Sequence, residues 1–214
     1  MKKFIGLIIL IAVVITIAQY LNKVSNTAQE AENASSNSVE SALTDEIEDR
    51  VAGYEYSITA DSTVSYTAQK MFFSKPTEEV EGINEVSGGV DLQDGLLSLY
   101  ATLDSSFTSN NSGRDKDIEQ RLASNIIIEL NDFSLDGVDL TQPIELELPL
   151  DLTINGVTQT VTFQISGQVG ETEIVASGSS EIKLSDFDFE APSALNIYQV
   201  NDLIGLSFEI IAKK

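Results

Sequence analysis

Between Tyr54 and Lys214 apolar and polar residues alternate with a period of two, the pattern of strands with one buried and one wet face. Tyr56, Ile58, Val64 and Tyr66 alternate with Ser57, Thr59, Thr63 and Ser65. Leu146, Leu148, Leu150, Leu152 and Ile154 form a longer row, and Val161, Phe163, Ile165 and Leu206, Phe208, Ile210 form two more. Ser87-Gly88-Gly89, Asp94-Gly95, Asp136-Gly137, Asn155-Gly156 and Gly178-Ser179 read as turns between such runs. Asn155-Gly156 is the clearest, because both residues tolerate the positive φ of a type I′ hairpin turn. Seven or eight strands of this kind predict an antiparallel barrel or sandwich. One helical interruption is expected near Asp115 to Ala123, where Ile118 and Leu122 stand four apart.

The amino-terminal part has a different pattern. Met1-Lys2-Lys3 precedes an apolar run from Phe4 to Leu21, which as a helix would extend about 27 Å and could cross a bilayer. The two lysines predict a cytoplasmic amino terminus and an exported remainder. A retained signal anchor is favoured over a cleaved signal peptide, because Thr16-Ile17-Ala18 sits on the apolar run with no polar spacer. Residues 22–53 read as an acidic flexible linker carrying a short amphipathic helix at 38–52. In that helix Val39, Leu43, Ile47 and Val51 make one narrow stripe, Ser38 is a candidate N-cap and Gly53 a stop. Packing on its own domain is the favoured use of the stripe, ahead of binding a partner. The organisation expected is therefore 1–21 anchor or signal, 22–53 linker and helix, and 54–214 barrel.

Composition narrows the chemistry. The net charge of −22 argues against nucleic-acid binding, which needs clustered Lys and Arg. The absence of Cys and His removes disulfides, thiolate nucleophiles, Cys/His zinc sites and Ser-His-Asp triads. Asp115, Asp117 and Glu119 alternate but lack the Gly and terminal Glu of a calcium loop, so no metal is expected. Asp186, Asp188 and Glu190 alternate with Phe187 and Phe189 as the polar face of a strand would. The acidic residues fall on solvent faces and no convergent acid, base or nucleophile is visible, so the chain is not expected to be an enzyme and no cofactor is implied.

Several segments in order resemble the YceI-like family. Tyr56-x-Ile58 followed by Ser62-x-Val64-x-Tyr66 is similar to its first strand, and Gly82-Ile83 with Gly88-Gly89-Val90 to its Gly-x-Phe…Gly-x-Ile segment, with Ile83 where the aromatic usually sits. Asn111-Ser112-Gly113-Arg114-Asp115 resembles the family's Asn-x-x-Arg-Asp, which leads into a short helix. The Leu152-Thr153-Ile154-Asn155-Gly156-Val157-Thr158 hairpin and Ser185-Asp186-Phe187 complete the set. The chain departs from the pattern at Asp117, where a His is common, at Asp188, where Gly usually follows Phe, and between Leu122 and Ile128, which lacks the usual Tyr-Pro.

The resemblance implies an all-β fold with minor α: an extended eight-stranded antiparallel lipocalin-like barrel whose apolar cavity takes an isoprenoid-type lipid, such as a polyprenyl lipid or a quinone tail. It also implies export, here to the periplasmic side of a bacterial cytoplasmic membrane, with residues 4–21 as the contact to the inner membrane. Tyr66, Phe72, Phe73, Leu148, Leu150, Phe163 and Phe208 are the candidate pocket-lining residues, and Arg114 and Asp115 the candidates for a polar head group. Phe72 and Phe73 point to opposite faces and cannot both enter one core, so Met71-Phe72-Phe73 is expected at a rim or loop. The alternative function is an envelope protein-interaction module that uses the barrel surface or the amino-terminal helix without a lipid cargo. The oligomeric state is left open, a dimer included.

Overall fold

The period-two rows become strands β1 (Tyr56–Ile58), β2 (Thr63–Phe72), β3 (Glu78–Glu85), β4 (Ser87–Gln93) and β5 (Leu96–Leu103). A helix, α1 (Ser112–Arg121), comes next. After it follow β6 (Ile126–Ser134), β7 (Ile144–Ile154), β8 (Val157–Val169), β9 (Glu173–Lys183), β10 (Ser193–Ala194) and β11 (Tyr198–Lys213). These elements come from a computed structural model that describes residues 49–122 and 124–214. The anchor or signal expected at 1–21, the linker and most of the helix expected at 38–52 lie outside the described residues. Residues 49–51 are helical, and Gly53 follows at φ 96°, the left-handed stop expected of it. Among the described residues no helix is long and apolar enough to cross a membrane.

The sheet closes on itself. Neighbouring strands run antiparallel in the order β1-β4-β5-β6-β7-β8-β9-β11, and β11 returns to β1 through Ser57↔Lys213 and Ile58↔Ala212. β1 and β2 both pair with β11, and β3 and β4 are separated only by Val86, so each pair is one bent stave. Counted this way the ring has the eight staves expected. The bend between β1 and β2 is held by Ser62, fully buried, whose Oγ donates to the Ile211 carbonyl at 3.1 Å and accepts from the Ile211 N–H at 2.9 Å. The seam between β6 and β7 is short, with only Ile127–Glu129 paired to Asp151–Thr153.

Three of the expected turns form. Asp94-Gly95, Asp136-Gly137 and Asn155-Gly156 each place a positive-φ glycine in a connection, and Asn155 itself adopts φ 51°. Two expectations are corrected. Gly88 lies inside β4, where a Cβ would overlap the Tyr100 carbonyl oxygen on β5; glycine is needed for close backbone approach. Gly178 lies inside β9, where a Cβ would overlap the Phe208 ring. The Asp186–Glu190 alternation is corrected as well: residues Leu184–Phe187 form a 3₁₀ turn, and Asp188 ends it at φ 54°.

Candidate functional site

The interior of the ring is solid at one end and hollow at the other. On β11 the inner row runs from Tyr198 and Val200 through Ile204 and Leu206 to Phe208, Ile210 and Ala212. The first four line a cavity of about 480 Å³, and the last three join the packed core. On β2 the same change occurs: Tyr66, Ala68 and Lys70 line the cavity, and Val64 is packed. That volume falls within the roughly 300–1,000 Å³ of small-molecule sites. Val80, Ile126, Ile154 and Ile182 add to the apolar wall, and Phe107, Ile118 and Leu122 contribute from α1 and the segments on either side of it.

Helix α1 is placed by local capping. The Asn111 side chain accepts from the Gly113 N–H at 3.0 Å and the Arg114 N–H at 3.1 Å, a standard N-cap. At the other end Asn155, on the β7–β8 hairpin tip, donates to the Arg121 carbonyl at 3.1 Å. The hairpin thus fixes the helix over the hollow end. Arg114 and Asp117 line the cavity from α1, where Asp117 pairs with Arg121 at 3.0 Å.

Tyr66 is the most informative polar group here. Its ring meets Phe107 edge-on at 5.3 Å between centroids, and its buried hydroxyl has no hydrogen-bond partner among the described residues. Burial pushes the hydroxyl pKa above its ordinary value; nearby Arg114 pulls it back and Asp115 adds to the rise. Lys70 stands at the lip with its Nζ 3.9 Å from the Tyr198 ring centroid and 5.2 Å from that of Phe72.

Of the residues singled out in the sequence, Tyr66 and Arg114 are brought together in the cavity lining. Asp115 is outside that lining and accepts a hydrogen bond from the Ser109 hydroxyl, while Arg114 donates to Ser109 at 3.3 Å and to Asn110 at 3.2 Å. Leu148, Leu150, Phe163 and Phe208 belong to the solid part, with the Phe163 and Phe208 rings 5.7 Å apart. Phe72 packs on Tyr198 at 6.1 Å, and Phe73, on the opposite face, is 70% exposed. Tyr198, Val200 and Ile204 were not among the candidates. Between Val200 and Ile204 the register with β2 shifts, so that Asn201, Asp202 and Leu203 stand opposite Gln69 alone and break the period of two.

A model of the YceI-like domain matches residues 56–212, most of the chain. The chain belongs to the YceI-like family. The YceI-like barrel is similar to a solved polyisoprenoid binding domain from Saccharophagus degradans implicated in plant cell wall breakdown. The two are 16% identical with a TM-score of 0.60, covering 75% of this chain and 98% of that one. It is also similar to BcnA of Burkholderia cenocepacia, at 18% identity and a TM-score of 0.53, covering 72% of this chain and 98% of that one. At these identities the likeness is one of fold. A comparison with curated protein sequences finds no match.

The YceI-like segments acquire physical roles. In Ser185-Asp186-Phe187 the serine donates its N–H and its hydroxyl to Asp202 at 2.8 and 2.7 Å, which ties the 3₁₀ turn to the β11 bulge. Phe187 is sealed into the core at 1% exposure. Asp188 then takes the left-handed conformation, which explains why the family pattern carries Gly at this position and why Asp can replace it.

Proposed function

We propose that this barrel binds the apolar chain of an isoprenoid-type lipid, a polyprenyl lipid or a quinone tail, and carries or sequesters it without chemical change. The observation that carries this reading is the apolar cavity bounded by the inner rows of β2 and β11. Along β2 it extends from Tyr66 to Lys70, about 13 Å at roughly 3.3 Å per residue. Each methylene moved from water into such a space contributes about 0.8 kcal/mol, so a chain is retained by burial alone.

The unpartnered Tyr66 hydroxyl sharpens the ligand class. A buried donor left without an acceptor costs about 1–3 kcal/mol, and a lipid with a carbonyl, ether or hydroxyl oxygen at that depth removes the cost. Arg114, lining the same space, offers a second donor. The similar structure from Saccharophagus degradans is a polyisoprenoid binding domain, which supports the same class. The apolar run Phe4–Leu21 would keep the barrel beside the periplasmic face of the membrane that supplies its cargo.

The test uses residues 47–214, which form one compact unit. This fragment is produced in a bacterial host, extracted with organic solvent and analysed by mass spectrometry. A prenyl-type lipid in near-equal amount to protein is expected. A barrel that is reproducibly empty and takes up neither quinone nor polyprenol overturns the reading.

A further inference from the structure

The rim of the hollow end carries an unusual turn. β10 and β11 are joined by Leu195-Asn196-Ile197, closed by the Ile197 N–H donating to the Ala194 carbonyl at 2.9 Å. Tight turns ordinarily present polar residues to water. Here Leu195 is 90% and Ile197 60% exposed. Phe73, 70% exposed, joins them, because its N–H donates to the Ile197 carbonyl at 3.3 Å, and Met71 on the adjoining strand is 41% exposed.

Two lysines flank these apolar tips. Lys70 and Lys75 make no ion pair among the described residues; Lys75 Nζ lies 3.8 Å from the Phe72 centroid and Lys70 packs on Tyr198. In a chain of net charge −22 two lysines this close stand out, although Glu78 faces Lys70 across the β2–β3 ladder. The patch is also continuous with the cavity, since Lys70, Pro192 and Tyr198 line the space whose rim they adjoin.

We infer that this rim is a membrane-docking lip that inserts Phe73, Leu195 and Ile197 into the interfacial region of a bilayer and sets Lys70 and Lys75 against anionic lipid phosphates. Apolar tips beside lysines with apolar stems match the two halves of that interface. The acidic remainder of the surface is repelled by the same headgroups, so the mouth is the face turned to the bilayer. An apolar chain then passes from membrane to cavity without crossing water. This inference rests on the lipid-binding reading above and names the surface from which the cargo comes.

Vesicle flotation of residues 47–214 tests it, a fragment whose closed sheet and packed core lie wholly within it and which lacks the Phe4–Leu21 run. The fragment is expected to float with vesicles containing phosphatidylglycerol. The triple variant Phe73→Ser, Leu195→Ser, Ile197→Ser is expected to lose at least tenfold in partitioning while its melting temperature holds. Lys75→Gln is expected to lose about fivefold on anionic vesicles and nothing on purely zwitterionic ones. Val175→Ser, exposed on β9 opposite Ile211 at the packed end, is expected to change nothing.

Absence of flotation by the unsubstituted fragment overturns the lip, as does a triple variant that floats equally well, or capture of the patch by a protein in place of vesicles. Mass spectrometry separates the two readings. A fragment that carries prenyl lipid but never floats leaves the cargo reading standing without the lip. One that floats but is always empty supports the lip and removes the cargo.

Discussion

Tyr66 and Gly82 face each other across the β2–β3 ladder, and the tyrosine ring fills the space that a Cβ at position 82 would need. The glycine reserves the seat from which the Tyr66 hydroxyl meets the cavity. Gly82→Ala is expected to drive the ring into the hollow, with a stability loss of about 1–3 kcal/mol in denaturant melts and less extractable lipid per barrel. Wild-type stability and cargo in this variant would show that the seat is not reserved.

The Tyr66 hydroxyl gives a second expectation, at alkaline pH. Burial raises its pKa, so the neutral form is favoured by the fold. Stability from this group is therefore present below the ordinary value of about 10 and is lost as pH rises through the raised value. Tyr54 is raised for the same first reason, burial, which outweighs the lowering by Arg50. Tyrosinate absorbance should show late-titrating tyrosines, and Tyr66→Phe should remove one of them while weakening retention of an oxygen-bearing lipid. An unchanged late phase in that variant would refute the assignment.

The solid and hollow ends predict opposite responses to the same kind of truncation. Leu150, 2% exposed, sits among packed neighbours, so Leu150→Ala should cost about 2–5 kcal/mol and leave the cargo unchanged. Ile204 already has open space on one side, so Ile204→Ala should cost less and change the amount or chain length of bound lipid. Chemical denaturation paired with lipid extraction reads both effects; identical outcomes for the two variants would contradict the division of the barrel.

Asp104, where β5 leads toward α1, should carry part of the acid sensitivity, beside Asp139 and Asp202, whose carboxyls Thr141 and Ser185 also hold low. Burial pushes its carboxyl upward, but the Ser106 hydroxyl and N–H and the Asn84 amide donate to it and together hold its pKa below the ordinary value. A lowered folded-state pKa contributes stability that is present above the unfolded value near pH 4 and disappears as pH falls through the folded one. Asp104→Asn is thus expected to lower the melting temperature at neutral pH and to flatten its decline below about pH 4. A decline as steep as that of the unsubstituted protein would assign the acid sensitivity elsewhere.

The strands and the β7–β8 hairpin were legible because a period of two reports which face of a strand is inside. The same signal is silent on how far a side chain reaches across the ring, so Leu148, Leu150, Phe163 and Phe208 looked equivalent to Tyr66 although they fill the barrel and Tyr66 borders its hollow. Glycine was ambiguous for a related reason. At Asn155-Gly156 it serves a turn, and at Gly88 and Gly178 it makes room for a neighbouring backbone or ring, which no local pattern distinguishes. The β11 bulge at Asn201–Leu203 hid Val200 and Tyr198 by breaking the alternation just where the cavity begins.

β11 pairs with β10 and β9 on one side and with β2 and β1 on the other. It is also the last of the strands to be synthesised. Until it is made, β2 and β9 keep bare edges and the hoop has no clasp: β4 to β9 can pair with their neighbours in sequence, but β1 and β2 must wait for contacts from a strand more than 120 residues on. Closure of this kind is slow and leaves the nascent chain open to wrong pairings. The barrel becomes a container only when its final strand arrives, and a nonsense codon before Tyr198 would yield an open sheet with no inside at all.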